Sequence, residues 1–495
     1  MAPMTAIATG ILVVVLLYKY IIYPYYLSPL SRIPNAHFSA PVSEKWIEKQ
    51  RNMGKEVLTI YDLHQKHGPV VRLGPNEISV NSLNGLKTIY TGAFEKHPFY
   101  SEFFVNFQTP NMVGTIQNNS HARLKRMLSR IYSKSSLQES SDLRDSSRII
   151  LSQRLFPTLR DAAKSGDAIN VLPLFQAVGM DFTSSFLFGT KNSTTYIFHL
   201  PEWQKWLDEY EKFKYMSVED RFMGFIESWC LSLCRKVENN DQPNNVPIAT
   251  NAVVYNQLRQ SLEKDPDTRP LELSIASEVL DHLVAGHETS GITFTYMMWE
   301  LSQHPGLQAE LRRELLTVTP ALKSLSTPDD NGELPSLPSP SALDALPLLD
   351  AVLRETLRLH SPAPAPLPRV TPASSTGITI EGYPNIPANV RVSSSSYSLH
   401  RIEEIYPRSS EWLPQRWLDA APGKIHDMRR IFWPFGSGGR MCLGSNFALQ
   451  EIKLVMAAVY TNFTTEIVDD EGIEQDHAFI SLPKGRKLML KFTAV

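Results

Sequence analysis

Residues 435–444 read FGSGGRMCLG, preceded by the bulky run FWP at 432–434. Gly436, Gly438 and Gly439 lie within six residues of Cys442, and Gly444 lies two beyond it. So much glycine strips side chains from the backbone and permits turns with φ > 0, which suits a backbone that must approach something flat and bulky. The run NFALQEIKLVMAAVY at 446–460 follows directly and reads as a helix. A cysteine just before a helix N-terminus feels the positive end of the dipole and nearby amide donors, which favours the thiolate. Arg440, two residues earlier, adds positive charge. Cys442 is therefore a candidate soft metal ligand, and the bland alternative is a buried cysteine in a glycine-rich turn.

The chain has 495 residues and three cysteines. Cys230 and Cys234 stand at i, i+4 in ESWCLSLCRK with no nearby His or second Cys pair. A zinc site needs about four ligands, so these two read as core thiols. Three thiols this far apart make no disulfide framework, which fits a reducing compartment. Length alone suggests about three domains. A hydrophobic fraction of 42% with 20% charged residues excludes a disordered or fibrous chain. Forty-nine Lys and Arg against 51 Asp and Glu leave a net charge of −2, so nucleic acid is not an expected partner.

The N-terminus carries AIATGILVVVLLY at 6–18, and apolar character continues to Leu27. At about 1.5 Å per residue, twenty helical residues span roughly a hydrocarbon core. Lys19 can snorkel and the following tyrosines form an interfacial belt. A cleaved signal peptide is the rival, weakened by the absence of a positive n-region and a small-residue cleavage site. The positives Lys19, Arg32 and Lys45 follow the segment, so the body should face the cytosol. The sequons at Asn118, Asn192 and Asn462 then read as chance matches. The expected division is an anchor at 1–27, a Pro/Ser-rich hinge at 28–41 and one catalytic domain at 42–495. No second run of about twenty apolar residues stands out. Within the body, VVRLGP and EISVNS read as short strands. Residues from about 120 to 316 have mostly helical spacing, followed by a Pro/Ser-rich loop over 319–347. Further helices are expected over about 348–359 and 445–462, giving a mainly α chain with small β-sheets.

The run 435–444 resembles the haem-binding loop of the cytochrome P450 family, Phe-x-x-Gly-x-Arg-x-Cys-x-Gly, with Phe435, Gly438, Arg440, Cys442 and Gly444 at the fixed positions. Glu355 and Arg358, at i, i+3 in LLDAVLRETLRLH, resemble its Glu-x-x-Arg signature, which taken alone is a solvated pair worth about 0.3 kcal/mol. Arg416, in Pro414-Gln-Arg416-Trp417, is in the place of the third partner, and the resemblance implies a buried network bracing the haem loop from beneath. The helix ASEVLDHLVAGHETSGITF resembles the family's Ala/Gly-Gly-x-Asp/Glu-Thr motif. There Gly286 is expected to make room for dioxygen, Thr289 to donate to the distal oxygen and Glu288 to relay protons; a Thr bonding back to its own helix is the common alternative. Arg440 and Arg369 are expected to hold the haem propionates. The family's Trp-x-x-x-Arg pattern is His121-x-x-x-Lys125 here, with Arg126 adjacent, which leaves open whether Lys125 or Arg126 makes that contact.

The resemblance implies the cytochrome P450 fold enclosing one haem, its iron on the Cys442 thiolate, in a monooxygenase of the endoplasmic reticulum membrane. It further implies electrons from NADPH through a separate cytochrome P450 reductase, with cytochrome b5 as a second donor. Lys424, Arg429, Arg430 and Lys453 surround the cysteine loop in sequence and are candidates to dock an acidic partner. The expected pocket, 99–116, the face of 280–292, 363–367 and 479–482, is largely apolar and suits a hydrophobic small molecule. The style of the chain resembles filamentous-fungal enzymes of secondary metabolism. The rival readings are a haem-thiolate isomerase, dehydratase or peroxygenase that needs no external electrons, and a non-catalytic haem sensor.

Overall fold

The helix Leu271–Gln303, 33 residues long, is apolar around most of its circumference rather than along one stripe. Such a helix can only sit at the centre of a core. It is crossed by Val171–Phe188, 18 residues of mean hydropathy 1.3 that are 94% buried. That second helix is apolar and long enough to cross a membrane, which the sequence reading did not single out; its burial makes it the central helix's core partner. The two backbones meet closely through glycine. A Cβ on Gly286 would lie 2.1 Å from Thr183 Oγ1, and one on Gly291 2.4 Å from Gln176 Cγ.

The computed structural model describes residues 2–239, 250–265, 270–323, 334–373 and 377–495, so part of the Pro/Ser-rich loop expected over 319–347 lies outside the described residues. Ten short strands occur among them: β1 (Val70–Gly74), β2 (Glu77–Val80), β3 (Glu95–Lys96), β4 (Ala168–Asn170), β5 (Arg369–Val370), β6 (Ile378–Ile380), β7 (Tyr383–Ile386), β8 (Arg391–Ser393), β9 (Phe463–Asp469) and β10 (Met489–Ala494). They form sheets ordered β1-β2-β8-β5-β3, β4-β10-β9 and β6-β7. The first matters for the site, because antiparallel β3 and β5 set Lys96 directly opposite Arg369. Most of the remaining regular structure is helical, as expected. The last helix, Ser445–Asn462, coincides with its expected span, and the Glu-x-x-Arg helix runs Pro347–Leu359. Cys230 and Cys234 are buried free thiols, again as expected, with Cys230 Sγ 3.6 Å from the Ala276 carbonyl.

At the N-terminus an α-helix, Ala2–Leu17, continues in wider π-type turns over Tyr18–Leu27, with Pro24 inside them. Residues Ile7–Leu27 have mean hydropathy 1.8 and are only 6% buried, which is consistent with a membrane anchor. The segment 28–41 is not the loose hinge expected of its composition. Leu30, Ile33 and Ala40 are fully buried. The strap is bridged to Arg72 through its backbone, Arg72 N–H donating to Pro34 O at 2.8 Å and Ala36 N–H to Arg72 O at 2.9 Å, and the buried Arg72 guanidinium donates to Pro41 O at 3.4 Å and, in the anchor segment, to Pro24 O at 3.0 Å. Further donation to Pro75 O at 3.0 Å and Gly74 O at 3.2 Å ties the strap to β1.

Candidate active site around Cys442

The loop before Ser445–Asn462 folds back on itself: Cys442 N–H donates to Phe435 O at 2.9 Å, and Met441 N–H to Gly438 O at 3.1 Å. Gly436 and Gly438 both have φ of 68°, and a Cβ on Gly438 would meet Tyr90 O at 2.2 Å. Gly438 is thus fixed by conformation and contact together. The backbone amides of Gly444 and Ser445 act on the Cys442 thiol in the sense that favours the thiolate, as the helix-start reading expects. Burial nevertheless pushes the thiol above its ordinary value, against those amides and Lys125. The added positive charge comes from Lys125 and not from Arg440. Lys125 Nζ donates to Gly439 O at 3.0 Å and Met441 O at 2.8 Å, gripping the loop. Arg440 is turned away, donating to Thr115 O at 2.6 Å, to Ile116 O and to Asn118 Oδ1. Arg126, one position on and so rotated about 100° around its helix, is exposed and away from the loop.

Glu355, Arg358 and Arg416 come together as a buried group. Arg358 donates to Glu355 through Nε at 2.9 Å and Nη2 at 2.8 Å, and Arg416 Nε donates to the same carboxylate at 2.8 Å. The Trp417 indole and the Leu413 amide complete five donors on one carboxylate, each at 2.9 Å. Burial would raise Glu355, but the Arg358 hydrogen bonds and charge, with Arg416, hold it below the usual range. The connection to the cysteine loop passes through His400, which sequence reasoning missed. Its Nδ1 meets Arg358 O at 2.9 Å and its Nε2 accepts from Trp433 N–H at 2.8 Å. Those partners assign a neutral ring with the proton on Nδ1, and burial among arginines takes its pKa down to about 3. A lone histidine 42 residues from Cys442 in sequence carries no local signal.

A second charged group is built from cations. Arg369 donates to Tyr100 Oη at 3.3 Å and lies over the Tyr90 and Tyr100 rings. Lys96, opposite it, donates to Val113 O at 2.6 Å and sits 4.4 Å from the Tyr100 ring centroid. Burial, then Arg369 and Arg440, pushes the Lys96 pKa well down. His121 is buried beside them; burial, then Arg440, Lys96, Lys125 and Arg369, lowers it to about 3. Lys96 was not among the expected residues, since one lysine in AFEKHPF has no distinguishing pattern.

On the central helix, Asp281, Ala285 and Thr289 stand one turn apart. Ala285 is exposed and the other two half-buried, although this is the innermost element. Cys442 is likewise exposed within the interior. An internal cavity therefore separates the helix face from the sulfur. Thr289 Oγ1 donates to Ala285 O at 2.8 Å, the back-bonded arrangement. Glu288 is turned to the helix Leu200–Tyr215, accepting from Tyr210 Oη and Lys214 Nζ, each at 3.1 Å, while burial raises its pKa against those two partners. Gly286 faces Thr183 rather than the cavity, so its missing side chain makes room for a neighbouring helix and not for dioxygen.

A sulfur under two amides, a glycine cradle and a cluster of buried cations fit a flat, dianionic, metal-centred group such as haem. That is the equipment of a haem-thiolate protein. The description "Cytochrome P450" matches residues 39–490, and the chain belongs to that family. It is 30% identical over 413 residues to cytochrome P450 monooxygenase avaI of Aspergillus versicolor, covering 80% of this chain and 95% of that protein. To cytochrome P450 monooxygenase FGM1 of Gibberella zeae it is 27% identical over 468 residues, 88% of this chain and 87% of the relative. To cytochrome P450 monooxygenase hepC of Aspergillus oryzae it is 26% identical over 487 residues, 90% of each. The chain is a haem-thiolate monooxygenase.

Proposed function

We propose that this monooxygenase holds its haem iron through Cys442 and oxidises a hydrophobic small molecule in a fungal secondary-metabolite pathway. The observation that carries the reading is the Cys442 sulfur, under the Gly444 and Ser445 amides and facing the Asp281–Ala285–Thr289 stripe across an internal cavity. When bound there, the haem supplies dioxygen activation and insertion of one oxygen atom into substrate. The chain does the rest. Arg369, Lys96 and Arg440 neutralise the propionates, and Lys125 steadies the loop that carries the ligand. Thr289 Oγ1 holds its proton on Ala285 O and can turn it toward the cavity. Glu288 holds a proton site on its carboxylate, linked to the half-buried Lys214 near the surface.

Electrons come from NADPH through a membrane-bound reductase, with the catalytic domain on the cytosolic side of the endoplasmic reticulum membrane. Arg429 and Arg430 are exposed on the helix Pro422–Ile431, which leads into the cysteine loop, and suit an acidic partner. Lys453 leaves the expected docking set: it is buried in ion pairs with Asp344 at 3.0 Å and Asp350 at 2.9 Å. Microsomes carrying this protein and a reductase, supplied with candidate intermediates, should give NADPH-dependent products that have gained one oxygen atom. Turnover independent of NADPH would favour the isomerase or dehydratase reading instead. Charge reversal of Arg429 and Arg430 should slow reductase-driven turnover about tenfold at low salt; unchanged turnover would contradict the docking face.

A further inference from the structure

The chain leaves its N-terminal apolar segment at a point where the usual way of closing a helix is denied to it. Over Tyr18–Leu27 the turns are of the wide π type, and Ser28 N–H donates to Tyr23 O at 2.7 Å, five residues back. The next bond in that pattern would run from the amide of residue 29 to Pro24 O. Residue 29 is proline, which has no N–H to give. Pro24 is buried, where an unpaired carbonyl is costly. The missing donor comes from 48 residues further along the chain: Arg72 Nη1 meets Pro24 O at 3.0 Å.

Arg72 stands in the middle of β1 and is only 2% exposed. Among the described residues it has no carboxylate partner. A buried cation without an anion is expensive, and the planar guanidinium fork is the group that can offset this by reaching several carbonyls at once. Here it reaches the end of the apolar segment at Pro24, the end of the strap at Pro41, and the β1–β2 turn at Gly74 and Pro75. A second tie crosses the same junction, Tyr25 Oη donating to Phe38 O at 2.8 Å. Between the two ties Ser28 Oγ accepts from Leu30 N–H at 3.2 Å, and Leu30 and Ile33 pack into the core with Ile78, Val80 and Val392. The junction is bonded and packed from Pro24 onward.

We propose that Arg72 makes a rigid joint between the apolar N-terminal segment and the catalytic domain, so that the domain stands at one angle on the membrane instead of swinging on a tether. The proposal rests on the reading of that segment as a membrane anchor. A Pro- and Ser-rich linker without such contacts would let the body sample many tilts. A joint closed by one guanidinium on carbonyls of three separate segments lets it sample few. Every surface of the domain, the one carrying Arg429 and Arg430 included, is thereby held at a fixed height over the bilayer.

The test uses the full-length holoprotein in aligned phosphatidylcholine bilayers, with the linear dichroism of the haem absorption band reporting the tilt of the domain. The wild type should show strong dichroism, which requires a narrow range of angles. Insertion of Gly-Gly-Ser between Leu27 and Ser28, which leaves Arg72 its partners within the body, should remove most of that signal. Arg72→Met should also remove most of it, and reduced-CO spectra matching the wild type show that the haem site is intact in each variant. Where Arg72→Met fails to fold, the insertion decides alone. Weak dichroism in the wild type, or undiminished dichroism in the insertion variant or in folded Arg72→Met, would overturn the proposal. Flotation of the wild type with phosphatidylcholine vesicles reports the anchor reading separately. No flotation contradicts both, whereas flotation with weak dichroism contradicts only the rigid joint.

Discussion

The Glu355–Arg358–Arg416 group and the Lys96–Arg369–Arg440–His121 group are both buried, both charged and both adjacent to the cysteine loop, but only the first contains its own anion. Five donors converge on Glu355, and the remaining Arg358 donors reach the carbonyls of His400, Ser409 and Glu411 at 2.6–2.9 Å. The group is complete within the chain and serves as a brace, passed to Trp433 through His400. In the second group the bonds from Lys96, Arg369 and Arg440 go to carbonyls, an amide oxygen and a phenol, and His121 is kept neutral by burial and then by its cationic neighbours. One is a structural charge network; the other has no carboxylate among its own members, which supports the proposal that the propionates of a haem join it.

The largest expected effect follows from breaking the complete group. Glu355→Gln leaves Arg358 and Arg416 buried without a counter-charge, a cost of about 3–5 kcal/mol. Chemical denaturation should show that loss, with little haem-loaded protein recovered; a stability change under about 1 kcal/mol would show that the network is not the brace. The cation group should respond in the opposite sense. Lys96→Met removes one of several like charges, so the apoprotein should melt at a higher temperature while haem release quickens about tenfold. A lower melting temperature together with unchanged haem release would contradict the division.

The smallest effect is in pH dependence, where the two groups occupy different windows. Glu355 is held below its ordinary value of about 4.3, so its stabilisation is present above that value and is lost as pH falls through its folded pKa. Lys96 is held well below about 10.4, so the unfolded chain binds the extra proton and apoprotein stability rises with pH through that alkaline window. Stability titrations should show the acid slope vanish in Glu355→Gln and the alkaline slope vanish in Lys96→Met. Identical slopes in wild type and variants would contradict the assignments.

The cysteine loop, the Glu-x-x-Arg helix and the last helix were legible because their signals are local: fixed spacings, helical periodicity and a glycine-rich turn. The parts that were not legible depend on pairings between distant segments. His400 and Lys96 owe their positions to contacts 42 residues away and to the β3–β5 register, neither of which leaves a mark nearby in sequence. Gly286 was visible as a glycine in a helix, but only the approach of Val171–Phe188 shows that its neighbour is Thr183. The strap 28–41 read as a hinge because proline and serine suggest looseness; the burial of Leu30, Ile33 and Ala40 and the bridge from Asn35 to Arg72 reverse that. Arg126 and Lys453 were basic residues in the right stretch of sequence, and helical phase sends one outward and the other inward.

The central claim is that Cys442 is the iron's thiolate ligand. The reduced-CO difference spectrum tests it most directly, on wild type and Cys442→Ala side by side. The account predicts the red-shifted thiolate-type band in the wild type and its loss in the variant. Retention of that band in Cys442→Ala, or its absence from haem-loaded wild type, would contradict it.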